Sequence, residues 1–212
     1  MALALFGSAG TVHWWRAWTL LVVLVVIRSV GARVVFRVNP ALLLERAKLP
    51  IQHGQSLQDR ILVFAMLTTG FVGMPIIAGI DRFRLQSLAL PNAVLSAFGL
   101  ILFASGWILK SRALHANAFA VAAVRIQHER EHIVVDTGIY GRIRHPFYAA
   151  DPLIFVGLGL WLESYLAVLC AVIPICVGLL RLHLEEQVLR RELPGYREYV
   201  ERVPHRLIPG IW

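Results

Sequence analysis

Charge is scarce in this chain. Of its 212 residues, 16% are charged and 58% hydrophobic, whereas an ordinary soluble domain has about 25% and about 45–50%. The shortage is uneven. Long stretches carry almost no charge, and they reach the length of about 20 apolar residues that a helix needs to cross a bilayer. A single water-soluble core is therefore excluded. Cysteine is nearly absent as well. Cys170 and Cys176, six apart, point to different faces of a helix, which excludes a disulfide framework or a cysteine metal pair. Acidic residues number 13 against 21 Lys and Arg, for a net charge of +8. The cations sit between apolar runs and not on one polar face, so they read as the loop charge of a membrane protein and not as a nucleic-acid contact. The first Lys or Arg is Arg16, so the positive start of a cleaved leader is missing.

The fold expected is all-α: a multi-pass membrane helix bundle forming one domain over residues 1–212. Five spans are expected, at 14–36, 61–80, 90–109, 146–162 and 165–184. Residues 1–109 make a three-span part, and 110–212 hold a long loop, a hairpin and a tail. Trp14, Trp15 and Trp18 suit an interface belt. Arg28 and Arg33 lie inside the first span, where they are costly unless paired or lining a cavity. Asn39-Pro40 reads as a breaker. Gly70, Gly73 and Pro75 are tolerable inside a membrane helix. Residues 111–124 are alanine-rich and expected to be helical. The two residues Glu163-Ser164 leave room only for a tight antiparallel hairpin between spans four and five. Of the 21 Lys and Arg, Arg16, Arg82 and Arg84 fall on one side of this topology and Arg28 and Arg33 inside a span. The other sixteen share the opposite side, so the C-terminus is expected in the cytoplasm and the N-terminus outside.

Polar residues crowd into three places on that side: 125–136, 138–151 and 181–206. His128-Glu129-Arg130-Glu131-His132 spells a zinc-protease motif, which needs a helix and a third ligand. The following Ile133-Val134-Val135 and Asp136-Thr137-Gly138 favour an extended segment and a turn instead, so no metal is expected. A stronger signal runs Gly138-Ile139-Tyr140-Gly141-Arg142-Ile143-Arg144-His145-Pro146-Phe147-Tyr148. It enters a span through Arg-His-Pro, with Pro146 suited to a first helical turn whose free N–H groups can hold a polar ligand. It reads equally as a capped helix start with interface aromatics. The third cluster is Arg181-Leu182-His183-Leu184-Glu185-Glu186. Arg181 and Glu185 are i,i+4 neighbours and can form a simple ion pair; alternatively they face Arg144-His145 across the hairpin.

These segments together resemble the isoprenylcysteine carboxyl methyltransferases. The resemblance rests on Arg125-Ile126-Gln127, His132-Ile133-Val134-Val135, Gly138-Ile139-Tyr140 and Arg144-His145-Pro146-Phe147-Tyr148. In the tail it continues through Glu185-Glu186, Leu193-Pro194-Gly195-Tyr196, Tyr199 and Arg206-Leu207-Ile208-Pro209. The first three spans are similar only in character. The resemblance implies a membrane-embedded enzyme that moves a methyl group from S-adenosylmethionine to a lipophilic acceptor arriving from the bilayer. It implies cofactor contacts at Gln127, His132, Ile133, Val134, Val135, Tyr140, His145, Pro146, Phe147, Tyr148 and Glu185. It implies acceptor-side or catalytic roles for Arg181, Arg144 and Glu186. One departure stands out: Ala149-Ala150-Asp151-Pro152 occupies a region where the family usually has glycine. A carboxylate acceptor is already ionised at neutral pH. An amine, as in a phospholipid head group, would need a base, for which Glu186, His183 and Asp151 are candidates. A nicotinamide-dependent sterol-type reductase and a non-catalytic membrane subunit are the competing readings.

Overall fold

The computed structural model describes residues 1–47 and 54–212. Lys48, counted above among the sixteen cations, lies outside them. The described residues are helical or irregular, with no strand. The helices are α1 (Ala2–Ala9), α2 (Trp15–Val38), α3 (Pro40–Ala47), α4 (Leu57–Leu85), α5 (Ala93–Ala116), α6 (Pro146–Trp161), α7 (Tyr165–Glu192) and α8 (Tyr196–Arg202). Four of them, α2, α4, α5 and α7, are long and apolar enough to cross a membrane. The expected fourth span, α6, is apolar but has 16 residues. At about 1.5 Å per residue it is about 24 Å long, short of the roughly 30 Å of a hydrocarbon core.

Helix starts follow the capping chemistry of the sequence. The side chains of Ser56, Asn92 and Ser164 accept hydrogen bonds from the amides of Asp59, Leu95 and Ala167 at 3.1, 2.8 and 3.0 Å, satisfying donors that a helix N-terminus leaves free. Pro146 opens α6. Asn39-Pro40 does more than break the first span, because Pro40 starts α3 and the Asn39 side chain caps it through Leu42 N–H at 3.1 Å. Two π-helical turns, Thr69–Gly73 and Asp81–Leu85, widen α4.

The close pair is α5 with α6. A Cβ on Gly157 would lie 2.5 Å from the Phe103 backbone nitrogen, and one on Gly106 would lie 2.9 Å from the Ala150 carbonyl. Small residues thus let these two backbones touch, as membrane helices require in the absence of a hydrophobic drive between them. Near the start of α7 the Gly159 backbone meets Ala167 and Val168, while Tyr148 near the start of α6 meets Glu185 late in α7.

Two elements differ from expectation. Helix α1 has no counterpart among the expected elements; it docks on α4 where a Cβ on Gly79 would lie 3.1 Å from the Leu5 carbonyl oxygen and the Ala9 nitrogen. Residues 111–124 are not one helix, because α5 stops at Ala116 and the chain then runs irregularly to 127. Side chains from elsewhere take the backbone groups of this stretch. Gln127 donates to Phe119 C=O at 2.7 Å, Arg46 to Ala120 C=O at 2.6 Å and Arg181 to Ala122 C=O, while Asp59 accepts from Val124 N–H at 2.9 Å. Tertiary polar partners outweigh the modest helix preference of alanine here.

Charges gather at two ends. Glu163, held at φ 60°, pairs with Arg16 at 2.9 Å and Arg82 at 3.2 Å, and Asp81 accepts from Ser164 and Ser87, each at 2.6 Å. At the opposite end, Glu186 binds Arg144, Arg190 and Arg206 at 2.9, 3.0 and 2.7 Å.

Candidate active site

A cavity of about 520 Å³ runs between α2, α4, α5, α6, α7 and the irregular stretch after α5. One end is built by the loop residues His132, Ile133, Val134 and Val135 with Tyr140, Tyr196 and Tyr199. The rest of its lining comes from α2 to α5, where Val35, Val63, Leu67 and Phe71 give it an apolar wall and Arg28, Arg46 and Lys110 a basic one.

A chain of polar contacts crosses the middle. Asp59 is fully buried, and its carboxylate accepts from Arg181 Nε at 2.7 Å and from Gln55 at 2.6 Å. Arg181 Nη1 donates to the Tyr148 hydroxyl at 3.2 Å, which in turn donates to Glu185 at 2.6 Å. Arg181 and Glu185 are therefore linked through Tyr148 and not by the simple i,i+4 pair open at the level of sequence. Three helices build the chain: α4 supplies Asp59, α6 Tyr148, and α7 both Arg181 and Glu185.

The tail closes the loop end. Arg144 N–H and His145 N–H donate to the carbonyls of His205 and Arg206 at 3.0 and 2.9 Å, and the Tyr199 hydroxyl donates to Tyr140 C=O at 2.7 Å. Arg144 also donates to Val203 C=O at 2.7 Å. The segment that enters α6 is thus clamped by the chain after α8.

Of the residues singled out from sequence, His132, Ile133, Val134, Val135, Tyr140, Arg144, His145, Pro146, Phe147, Tyr148, Arg181 and Glu185 all line this one cavity. Two stand behind its wall. The Gln127 amide bridges Phe119 C=O and Arg130 at 2.7 Å each. Glu186, 2% exposed, is spent on its three arginines and braces the α7–tail junction. The unexpected Asp151 does line the cavity, where it pairs with Lys110 at 2.6 Å. Asp59 and Lys110 were missed; a carboxylate at the first turn of a span and a lysine at the end of another give no local sign of partners so far along the chain.

His128–Arg130 forms one 3₁₀ turn, ended by Glu131 at φ 51°. His132 leaves that turn to stack on Phe119, with ring centroids 4.5 Å apart. Burial, then the nearby Arg130 and Arg125, push its pKa down to about 4, so the ring is neutral at physiological pH. The folded state then binds fewer protons than an open loop whose histidine titrates near 6.5. Loop stability is fully present above pH 6.5 and is lost as pH falls toward 4. Hydrogen exchange of residues 119–135 should accordingly show protection falling over that window, and His132→Phe should flatten the profile. An unchanged profile in the variant would exclude His132 as the cause.

Among the described residues, His132 Nδ1 is buried with no partner, as is Trp107 Nε1. Such groups are uncommon in native folds, and both line the cavity. A polar ligand would satisfy them.

Residues 94–194 match the family model described as phospholipid methyltransferase. That family and the isoprenylcysteine carboxyl methyltransferases belong to one membrane methyltransferase superfamily, so the resemblance read in the motifs is consistent with the match. No curated protein matches the chain closely enough for comparison. The matched stretch takes in all of α6 and α7 and all but the first residue of α5, the helices that supply Trp107, Lys110, Tyr148, Asp151, Arg181 and Glu185. Asp59, Arg28 and Arg46 lie outside it.

Proposed function

We propose that this chain moves a methyl group from S-adenosylmethionine to a lipophilic acceptor, with the cofactor at the loop end of the cavity and the acceptor in the part lined by α2 to α5. The observation that carries this reading is the chemistry of those two parts: loop, tail and tyrosines in one, apolar spans in the other. S-adenosylmethionine would supply an electrophilic methyl group on a sulfonium.

The loop end suits that molecule. The faces of Tyr140 and Tyr148 can attract a cation. Glu185 can accept hydrogen bonds from ribose hydroxyls or an ammonium. His132 Nδ1 offers a further polar contact. His145, Pro146 and Phe147 shape the wall with Ile133, Val134 and Val135, while Gln127 and Glu186 hold that wall from behind. Arg181, fixed by Asp59 and Tyr148, would orient the acceptor, and alignment of this kind supplies much of the rate of a displacement.

A carboxylate acceptor, such as that of a prenylated cysteine, needs no base. The family match supports equally a second acceptor class, a phospholipid amine, which must lose a proton. Of the three bases considered from sequence, Asp151 lines the cavity and His183 and Glu186 do not, so that role would fall to Asp151, on release from Lys110. In the membrane, α6 would thin the bilayer locally as a fifth crossing, paired with α7 in a tight hairpin. The sixteen-to-three cation bias then puts the N-terminus outside and the C-terminus in the cytoplasm, beside soluble cofactor.

Calorimetric titration of the full-length protein in detergent with S-adenosylhomocysteine should show saturable binding. Glu185→Gln should weaken it about tenfold, the loss expected for one charge-assisted hydrogen bond. Absence of binding at millimolar ligand would refute the proposal, and preferential binding of NADPH would replace it with the reductase reading.

A further inference from the structure

Arg28 sits ten residues before the end of α2, which is about 15 Å along the helix axis and near the middle of a hydrocarbon core. No carboxylate among the described residues pairs with it. Its guanidinium lies over the Trp107 ring, 5.2 Å from the centroid. Lys110 Nζ is 5.9 Å from that same ring and 5.8 Å from the ring of Phe147. Arg46 lies over Phe147 in turn, at 5.5 Å. Three cations thus alternate with two aromatic rings around one end of the cavity, which all five residues line.

Only the Lys110 charge is balanced there by a carboxylate of the described residues, Asp151 at 2.6 Å. Arg46 donates to the Ala120 carbonyl, which leaves its charge uncompensated. Burial and then the neighbouring Arg28 lower its pKa to about 10, as expected where like charges crowd. Trp107 Nε1 adds a buried donor without an acceptor. The geometry is fixed by a close helix crossing, since a Cβ on Gly31 would fall 2.5 Å from Ser111 Oγ. An ionisable group at this depth is costly unless something offsets it.

We propose that Arg28, Arg46 and the Trp107 N–H bind an anionic group, phosphate or carboxylate, carried by the lipid acceptor. The inference rests on the methyltransferase reading only for the word acceptor; the anion site itself stands on the cation ladder. A bound anion satisfies both guanidiniums and the indole at once, while its chain lies along Val35, Val63, Leu67 and Phe71. The apolar wall and the depth of Arg28 select an amphiphile over a free ion.

The test titrates full-length protein in neutral detergent with dodecyl phosphate, dodecanoate, dodecanol and inorganic phosphate, and separately with S-adenosylhomocysteine. At least one anionic amphiphile should bind about tenfold or more tightly than dodecanol, as charge-assisted bonds require. Arg28→Gln and Arg46→Gln should each erase that advantage, and Arg28→Lys should restore part of it. Retained S-adenosylhomocysteine binding shows that the variants are folded. Equal binding of dodecanol, or an unchanged advantage in Arg28→Gln and Arg46→Gln, overturns the proposal. Displacement of the amphiphile by inorganic phosphate at equal concentration overturns its lipid part. If anions bind in an Arg28-dependent way but S-adenosylhomocysteine does not bind at all, the anion site stands and the methyltransferase reading falls.

Discussion

Asp59→Ala should destabilise the protein by about 3–5 kcal/mol, the cost of removing one partner from a buried ion pair. Asp59 is fully buried, and the Arg181 side chain is 9% exposed. The substitution strands that guanidinium and deprives Gln55 and Val124 N–H of their acceptor. It also frees Arg181 to turn from Tyr148, so the polar chain to Glu185 is cut at its source. Unfolding in mixed micelles, followed by circular dichroism, measures the loss. Asp59→Leu combined with Arg181→Leu should recover much of the stability, because no buried charge is then left alone. Activity should stay lost in that double variant. Equal instability in single and double variants would mean that the pair does not govern this site.

Gly157→Leu should prevent α5 and α6 from closing. Its Cβ would stand 2.5 Å from Phe103 N and 2.6 Å from Gly99 C=O, so backbone and not a flexible side chain must yield. Overpacking costs about 1–3 kcal/mol where side chains can adjust, and a contact between two backbones belongs at or above the top of that range. Separation would also spread Trp107 and Lys110 on α5 away from Phe147 and Asp151 on α6, breaking the cavity floor. Gly7→Ala is the control: nothing lies within 4 Å of a Cβ there, and helix α1 should tolerate or gain from the change. A Gly157 variant as stable as the Gly7 variant would contradict the packing described.

Several parts of this arrangement are legible in the sequence and others are not, for physical reasons. Apolar runs give spans directly, because a bilayer imposes length and composition. The cluster at Arg144-His145-Pro146 and that at Arg181–Glu186 are readable as neighbours because only Glu163-Ser164 separates their helices. Asp59 is opaque, since its partner Arg181 lies 122 positions away and a buried carboxylate looks, in one sequence, like any helix-start residue. Residues 117–127 mislead for a related reason: alanine-rich composition speaks for helix, whereas Arg46, Asp59 and Arg181 claim the backbone from outside. Glu186 shows the converse case. Its place beside Glu185 suggested chemistry, yet one position on a helix turns a side chain by about 100°, here from the cavity to an arginine brace.

In the proposed function, one cavity joins a water-side methyl donor to a bilayer-side acceptor. The most direct measurement places the full-length protein in nanodiscs of native membrane lipid with methyl-tritiated S-adenosylmethionine and follows label into the organic phase. Organic-extractable methylated product should form, and it should disappear in Arg181→Ala. Label that never enters the lipid fraction, while the folded protein still binds S-adenosylhomocysteine, would contradict that function.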